Sequence, residues 1–267
     1  ASHVLLNNTY VDDIVGGGET PEDLITLKQQ LIMLLEKGGF QLSKWSTNYP
    51  PLLEPDEQSL KQVTLCSGDT PTTKILGMKW DPATDTFSYE AAPPPTGLTK
   101  RLILSTIARL FDPLGYIAPV VFYAKCIMQR TWQHKVGWDE EVPQEIGNMW
   151  IQFIEQLPQL STISIPRPFP KTDTSYQLIC FSDASELGFC AAIYLRATNA
   201  SGVSLTLVKA KTRLAPIKTL TIPRLELAGA LLLAQLIKTL SQLQEDLNIT
   251  DIYCFTDSMI ALSWIKT

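Results

Sequence analysis

Two adjacent carboxylates, Asp12 and Asp13, lie in the string Thr9-Tyr10-Val11-Asp12-Asp13-Ile14-Val15, with Val4-Leu5-Leu6 before it and Gly16-Gly17-Gly18 after it. The pattern predicts a β-hairpin, apolar on approach, with the acids at its tight turn and a glycine-rich exit. Like charges this close repel, so a fold either leaves them to water or places a cation between them. Hard divalent ions such as Mg²⁺ take carboxylate oxygens and are used to bind phosphates. A plain exposed turn is the alternative for any such pair. A second acid is conspicuous far downstream. Glu226 interrupts the run Leu225–Leu236, which is apolar on nearly every other side. A carboxylate there is costly unless it is paired or bound to metal.

The elements that must carry these acids follow from punctuation and period. Thr20-Pro21-Glu22-Asp23 is a helix start: a capping hydroxyl, proline in the first turn and acids near the positive end of the helix dipole. Leu24, Leu27, Leu31, Leu34 and Leu35 mark one helical face, and Gly38-Gly39 ends it. Phe40–Trp45 reads as a short strand or turn. A strand pair follows at Thr73–Trp80 and Thr86–Tyr89. Ala91–Gly97 is a stiff, proline-rich linker. Helical patterns occupy Leu98–Leu110, Pro119–Lys135 and Pro143–Leu157, and Pro166–Pro170 is another linker. Strands are predicted at Tyr176–Ser182, Phe189–Arg196 and Leu205–Lys211. A helix opens at Pro223, and a strand at Asp251–Thr256 leads into a helix at Ser258–Ile265.

Composition bounds the class. At 267 residues, 45% hydrophobic and 18% charged, the chain is globular, with one large or two ordinary domains. No apolar run reaches 18 residues, and no basic-then-apolar leader opens the chain, so neither a membrane span nor a signal peptide is expected. Five cysteines without a CxxC spacing fit a reducing compartment, and Cys180, Cys190 and Cys254 read as core residues. Two histidines, His3 and His134, are too few for a histidine-based metal site or triad. The net charge of −5 is unevenly spread. Residues 97–135 hold six bases against Asp112 alone, and residues 196–224 hold six bases and no acid, blocks suited to a phosphate backbone.

The string TYVDDIV resembles the catalytic hairpin of reverse transcriptases. By that resemblance Asp12 is a metal ligand and Asp13 supports the site. Lys44 resembles the lysine that follows the palm helix in these enzymes. Ile75–Trp80, with Lys79 and Trp80, resembles the hairpin that grips the primer. The string LTKRLILSTIARLFDPLGYIAPVVFYAK is similar to the connector of Pao/BEL-class retrotransposon polyproteins, which carries a peptidase label. Asp69, Asp85, Asp173 and Asp257 all lack the glycine that an aspartic protease needs two residues on, so no chemical basis for proteolysis is present.

From Tyr176 the order of three strands, helix, strand and helix resembles the ribonuclease H fold. Its catalytic carboxylates fall, by resemblance, on Asp183, Glu226 and Asp257. That implies a site for Mg²⁺ (or Mn²⁺) astride a scissile phosphate, with Lys209, Lys211, Arg213 and Arg224 as nucleic-acid contacts. Strand-end caps for the two aspartates and an exposed glutamate are the plain alternatives.

The expectation is therefore an α+β chain in three parts: the C-terminal part of a polymerase palm (1–90), a mainly helical connector (91–171) and a C-terminally truncated ribonuclease H-like mixed sheet with helices (172–267). Implied partners are an RNA–DNA hybrid or primer-template and the remainder of a Pol polyprotein, without a membrane, in the cytoplasm or a retroelement particle. Because both resemblances are cut at the chain's ends, the piece alone is expected to be inactive as a polymerase and weak as a nuclease. The competing expectation is a non-catalytic nucleic-acid- or protein-binding module.

Overall fold

The computed structural model describes residues 1–53, 73–75, 78–90, 97–169, 174–249 and 251–266. Residues 91–96 of the linker expected at Ala91–Gly97, with Cys66, Asp69 and Asp173, lie outside the described residues. The chain divides into two compact units, Ala1–Glu90 with Gln159–Pro168, and Ala91–Pro158 with Phe169–Thr267.

In the first unit Val4-Leu5-Leu6 is not a strand. It belongs to helix α1 (Ser2–Asn7), because three apolar residues in a row carry no two-residue alternation to hold one sheet face. The hairpin that follows is minimal: β1 (Thr9–Tyr10) pairs antiparallel with β2 (Asp13–Ile14), and the Val15 N–H donates to Asn8 O at 3.0 Å. Helix α2 (Pro21–Lys37) starts with a complete capping box. The Thr20 side chain accepts from the Asp23 N–H, and Asp23 accepts from the Thr20 N–H, each at 3.2 Å. Residues 40–45 contain no strand.

The strand expected over Thr73–Trp80 is two, β3 (Thr73–Ile75) and β4 (Met78–Asp81), paired antiparallel. With β5 (Thr86–Ser88) and β6 (Ser164–Pro166) they form a sheet in the order β3-β4-β5-β6. The sequence predicts a helical connector over these residues with a linker from Pro166, and no strand; β6 forms there instead. Pro166 is tolerated because β6 is the last strand in that sheet. The next residue, Arg167, forks onto Asp85, which also accepts from Trp80 Nε1 at 3.0 Å and Asn48 Nδ2 at 3.2 Å.

The second unit opens with α3 (Lys100–Arg109), α4 (Ala118–Gln133) and α5 (Gln144–Gln156), where the periodicity puts them. Lys100 is buried between two indoles, with Nζ 4.1 Å from the Trp132 ring centroid and 5.2 Å from that of Trp138, and ties α3 to the end of α4. Strands β7 (Ser175–Ser185), β8 (Gly188–Asn199) and β9 (Gly202–Leu214) form an antiparallel meander. Strand β10 (Asp251–Phe255) adds parallel to β7, giving a mixed sheet in the order β10-β7-β8-β9. Helix α6 (Ile222–Lys238) lies against β7 and β8. A short α7 (Ser241–Asp246), absent from the sequence reading, precedes β10, and α8 (Met259–Lys266) follows it.

The core alternates as half-buried strands do: Tyr176, Leu178 and Cys180 from β7 and Ala191, Ile193 and Leu195 from β8 meet Leu232, Leu233 and Leu236 from α6. Each fully buried Leu or Ile contributes roughly 1.5–3 kcal/mol, so this layer offsets the several kcal/mol that an incompletely bonded buried acid costs. Burial, with Cys254 beside it, pushes the Cys180 thiol up to about 12, as suits an inert core residue. Cys190 is half-buried and Cys254 is exposed, so the core assignment fails for Cys254; every residue of β10 is exposed. The α+β class stands, with a ribonuclease H-like mixed sheet. Among the described residues no helix is long and apolar enough to cross a membrane.

Candidate metal centre

Asp183 stands near the end of β7, opposite Cys190 on β8. The parallel register pairs Phe181 with Phe255, so Asp257, two residues beyond Phe255, comes level with Asp183, two residues beyond Phe181. Ser258 then caps α8, its Oγ accepting the Ala261 N–H at 3.2 Å, which ends the strand at the acid.

Glu226 comes from the other layer. The buried stripe of α6 runs Leu225, Glu226, Gly229, Leu232, Leu233, Leu236, so the acid occupies a sheet-facing position where the pattern otherwise supplies leucine. Gly229, one turn on, brings the helix backbone close. A Cβ at that position would lie 3.4 Å from Asp183 O and 3.5 Å from Cys190 O. Gly229 carries no motif; its only sequence signal is a glycine inside a helix, which costs about 1 kcal/mol relative to alanine, three residues after the lone acid.

The three acids converge. One carboxylate oxygen from each of Asp183, Glu226 and Asp257 lies within 4.8 Å of the others. The Ala184 N–H donates to Asp183 Oδ1 at 2.7 Å. Glu226 is 5% exposed, and among the described residues its Oε2 has no hydrogen-bond partner. Burial, then the charges of Asp183 and Asp257, push the Glu226 carboxyl above its ordinary range, against a small pull downward from the Ala184 N–H. A buried acceptor without a donor, beside two further acids, lacks positive charge. An oxygen-only donor set of this kind suits a hard divalent cation such as Mg²⁺ or Mn²⁺. Asp183, Glu226 and Asp257 are the residues that would hold it. Beside them, Phe181, Ser182, Asp183, Phe255, Thr256 and Asp257 line a cleft of about 350 Å³.

The remaining site residues from the sequence lie elsewhere or serve differently. Asp12 is in the turn between β1 and β2, exposed, and Asp13 is half-buried on β2. Val11 before them has φ 55°, a left-handed conformation that is strained for a β-branched residue. Among the described residues the Asp183–Glu226–Asp257 group is the one set of three potential ligands within reach of one ion, and the hairpin acids are not in it. Lys44 is exposed with φ 57°, and Lys79 is half-buried on β4. Trp80, expected among the nucleic-acid contacts, is 7% exposed, with its indole N–H engaged by Asp85. Its role in the first unit is packing. Lys209, Lys211 and Arg213 alternate along β9, so they share a face. Lys209 Nζ is drawn to Thr239 Oγ1 at 2.9 Å, whereas Lys211, Arg213 and Arg224 are exposed.

The family profile described as the Pao retrotransposon-like RNaseH-like domain matches residues 99–258. No curated protein matches the chain. The family match spans more than half of the sequence, from the cap of α3 through the mixed sheet to Asp257, and takes in all three converging acids. The chain belongs to the Pao retrotransposon-like RNaseH-like domain family.

Proposed function

We propose that the second unit is a divalent-metal-dependent nuclease that hydrolyses the RNA strand of an RNA–DNA hybrid, within a retrotransposon Pol polyprotein. The observation that carries this reading is Glu226: a buried carboxylate with a partnerless oxygen, converging with Asp183 and Asp257. A divalent ion bound there supplies Lewis-acid stabilisation of phosphate charge and lowers the pKa of water. The chain's own residues do the rest. Asp183 and Asp257 sit at the mouth of the cleft, where solvent and a phosphate reach them, while Glu226 anchors the cluster from below. Lys211, Arg213 and Arg224 are exposed and meet the nucleic-acid backbone, so binding weakens steeply with salt.

The first unit, in the same reading, is the C-terminal part of a reverse-transcriptase palm. Its resemblance at TYVDDIV and the placing of Asp12 in a tight, strained turn support this. Asp12 then holds metal, Asp13 supports it, and Lys44 and Lys79 face the primer-template. The parts follow the boundaries 1–90, 91–171 and 172–267, with the rest of Pol as partner and the cytoplasm or a retroelement particle as location.

The test is cleavage of a hybrid labelled on its RNA strand, with Mg²⁺ or Mn²⁺, by this chain and by Asp183→Asn. RNA-strand cleavage that the substitution abolishes supports the nuclease. Hybrid binding without cleavage by the folded chain supports the binding-module alternative and sinks the nuclease.

A further inference from the structure

The hairpin of β7 and β8 carries Asp183 close to its turn: Asp183 pairs with Cys190, and the last pair, Ser185 with Gly188, closes two residues later. Helix α4, far upstream in sequence, meets the hairpin at that same end. Gly188 is buried, and a Cβ built on it would stand 2.6 Å from Phe122 Cε2 and 2.8 Å from Cζ, so the Phe122 ring rests directly on the hairpin backbone. Beside it the Ala215 N–H donates to Leu187 O at 2.8 Å, and Gln129 Nε2 donates to Ala215 O at 2.7 Å. These bonds run from α4 through residue 215 to the turn.

The start of α4 is itself secured to the sheet. Asp112 accepts from the Gly115 and Ile117 N–H groups, each at 3.0 Å, and the Ala210 N–H donates to Leu114 O at 2.8 Å. Gly115 has φ +83° and lies so near the Ala210 backbone that any side chain would collide with it. This explains the Asp112-Pro113-Leu114-Gly115 break between two helical patterns. The opposite end of the β8–β9 hairpin is bare: Gly202–Leu205 are exposed. A helix that merely covered the outer edge of β9 would have no cause to concentrate its bonds at the end bearing the acid. From the other side, Gly229 of α6 abuts the Asp183 and Cys190 carbonyls. The hairpin end that carries Asp183 therefore meets α4 at Gly188 and α6 at the Asp183 and Cys190 carbonyls.

We propose that α4 is a positioning element for the carboxylate cluster, with Phe122 and Gln129 as positioning residues that hold the β7–β8 turn and so set the place of Asp183. The inference rests on the metal reading of that cluster. Its test is the affinity for Mn²⁺, measured by titration on the full chain, with folding followed by near-ultraviolet circular dichroism. Asp183→Asn serves as the control for the site. In folded Phe122→Ala the Mn²⁺ affinity falls by about tenfold, the low end of what losing outer support for a metal ligand costs, and Phe122→Leu restores most of it. Folded Phe122→Ala with unchanged affinity would show that α4 is only cover and overturn the proposal. Should Phe122→Ala not fold, Gln129→Met keeps the bulk and removes the bond to Ala215; weaker Mn²⁺ binding supports the proposal and equal binding overturns it. If the unsubstituted chain binds no Mn²⁺ through Asp183, the metal reading itself falls, and this inference with it.

Discussion

Asp85 in the first unit and Glu226 in the second are both withdrawn from solvent, and their surroundings treat them oppositely. Asp85 is met by the Arg167 fork, the Trp80 indole N–H and the Asn48 amide. Burial pushes its carboxyl up, yet the bonds from Arg167, Trp80 and Asn48 outweigh that and hold it below its ordinary value. Glu226 has acids for neighbours and one oxygen without a donor, and its carboxyl is pushed up. An acid that the protein itself satisfies is a structural tie. An acid that the protein buries and leaves unsatisfied is what a metal site would need. The two can be told apart by experiment because their removal should have opposite signs.

The largest effect should come from metal. Mn²⁺ at about 100 times its Kd should stabilise the second unit by about 2.7 kcal/mol, and Asp183→Asn or Asp257→Asn should abolish the shift. Thermal melts with and without Mn²⁺ decide this, and a midpoint that ignores the ion in the unsubstituted chain would remove the contrast altogether. Next in size, Arg167→Ala should destabilise the first unit by about 2 kcal/mol. Breaking a fully buried pair costs more, but the Arg167 side chain is 45% exposed and partly screened. Urea titration measures this loss, and the Mn²⁺ response of the second unit should be unaltered.

Glu226→Gln should act the other way. Without metal at neutral pH it should raise stability by about 1 kcal/mol, since it removes a buried charge whose Oε2 meets no donor among the described residues, and it should also blunt the Mn²⁺ response. A destabilised Glu226→Gln in metal-free melts would mean that the acid is a structural tie after all.

The smallest effect, of order 1 kcal/mol or less, is on pH dependence. The lowered carboxyl of Asp85 contributes stability above its unfolded value, and that contribution is lost as pH falls through the folded value. Asp85→Asn should flatten that acid limb. The raised carboxyl of Glu226 means that the native state holds its proton longer than the unfolded state. Metal-free stability should therefore fall as pH rises from the unfolded value through the folded one. Glu226→Gln should remove that decline, as melts across the range from acid to neutral pH would show.

Much of this molecule is legible in its residues. Thr20 with Pro21 and Asp23 announces α2, and Pro223 with the leucines after it announces α6, because caps and a 3.6-residue period act locally. Glu226 is visible because it breaks an apolar helical stripe, whereas Asp183 and Asp257 are singled out by the resemblance to the ribonuclease H fold. Other features resist. Pro166 opens a stretch that looks like linker, and only pairing with β5, far back in the chain, makes Ser164–Pro166 a strand. Val4-Leu5-Leu6 looks like the approach to a hairpin and is a helical turn. Trp80 reads by resemblance as a primer contact, whereas its indole is buried and donates to Asp85. That α3, α4 and α5 share a compact unit with the mixed sheet is likewise a tertiary fact.

What the residues determined alone was most of the elements and the solitary Glu226: periodicity, caps and turns depend on neighbours within a few positions. The tertiary structure alone decided that the acids meet. Alternation specifies which face a strand buries but leaves its partner and its register free in steps of two residues. The pairing of Phe181 with Phe255 is what levels Asp183 with Asp257, and the close approach at Gly229 is what brings Glu226 to them. Both join segments tens of residues apart, by ladder pairing in the one case and by helix-on-sheet packing in the other, and no local preference specifies either.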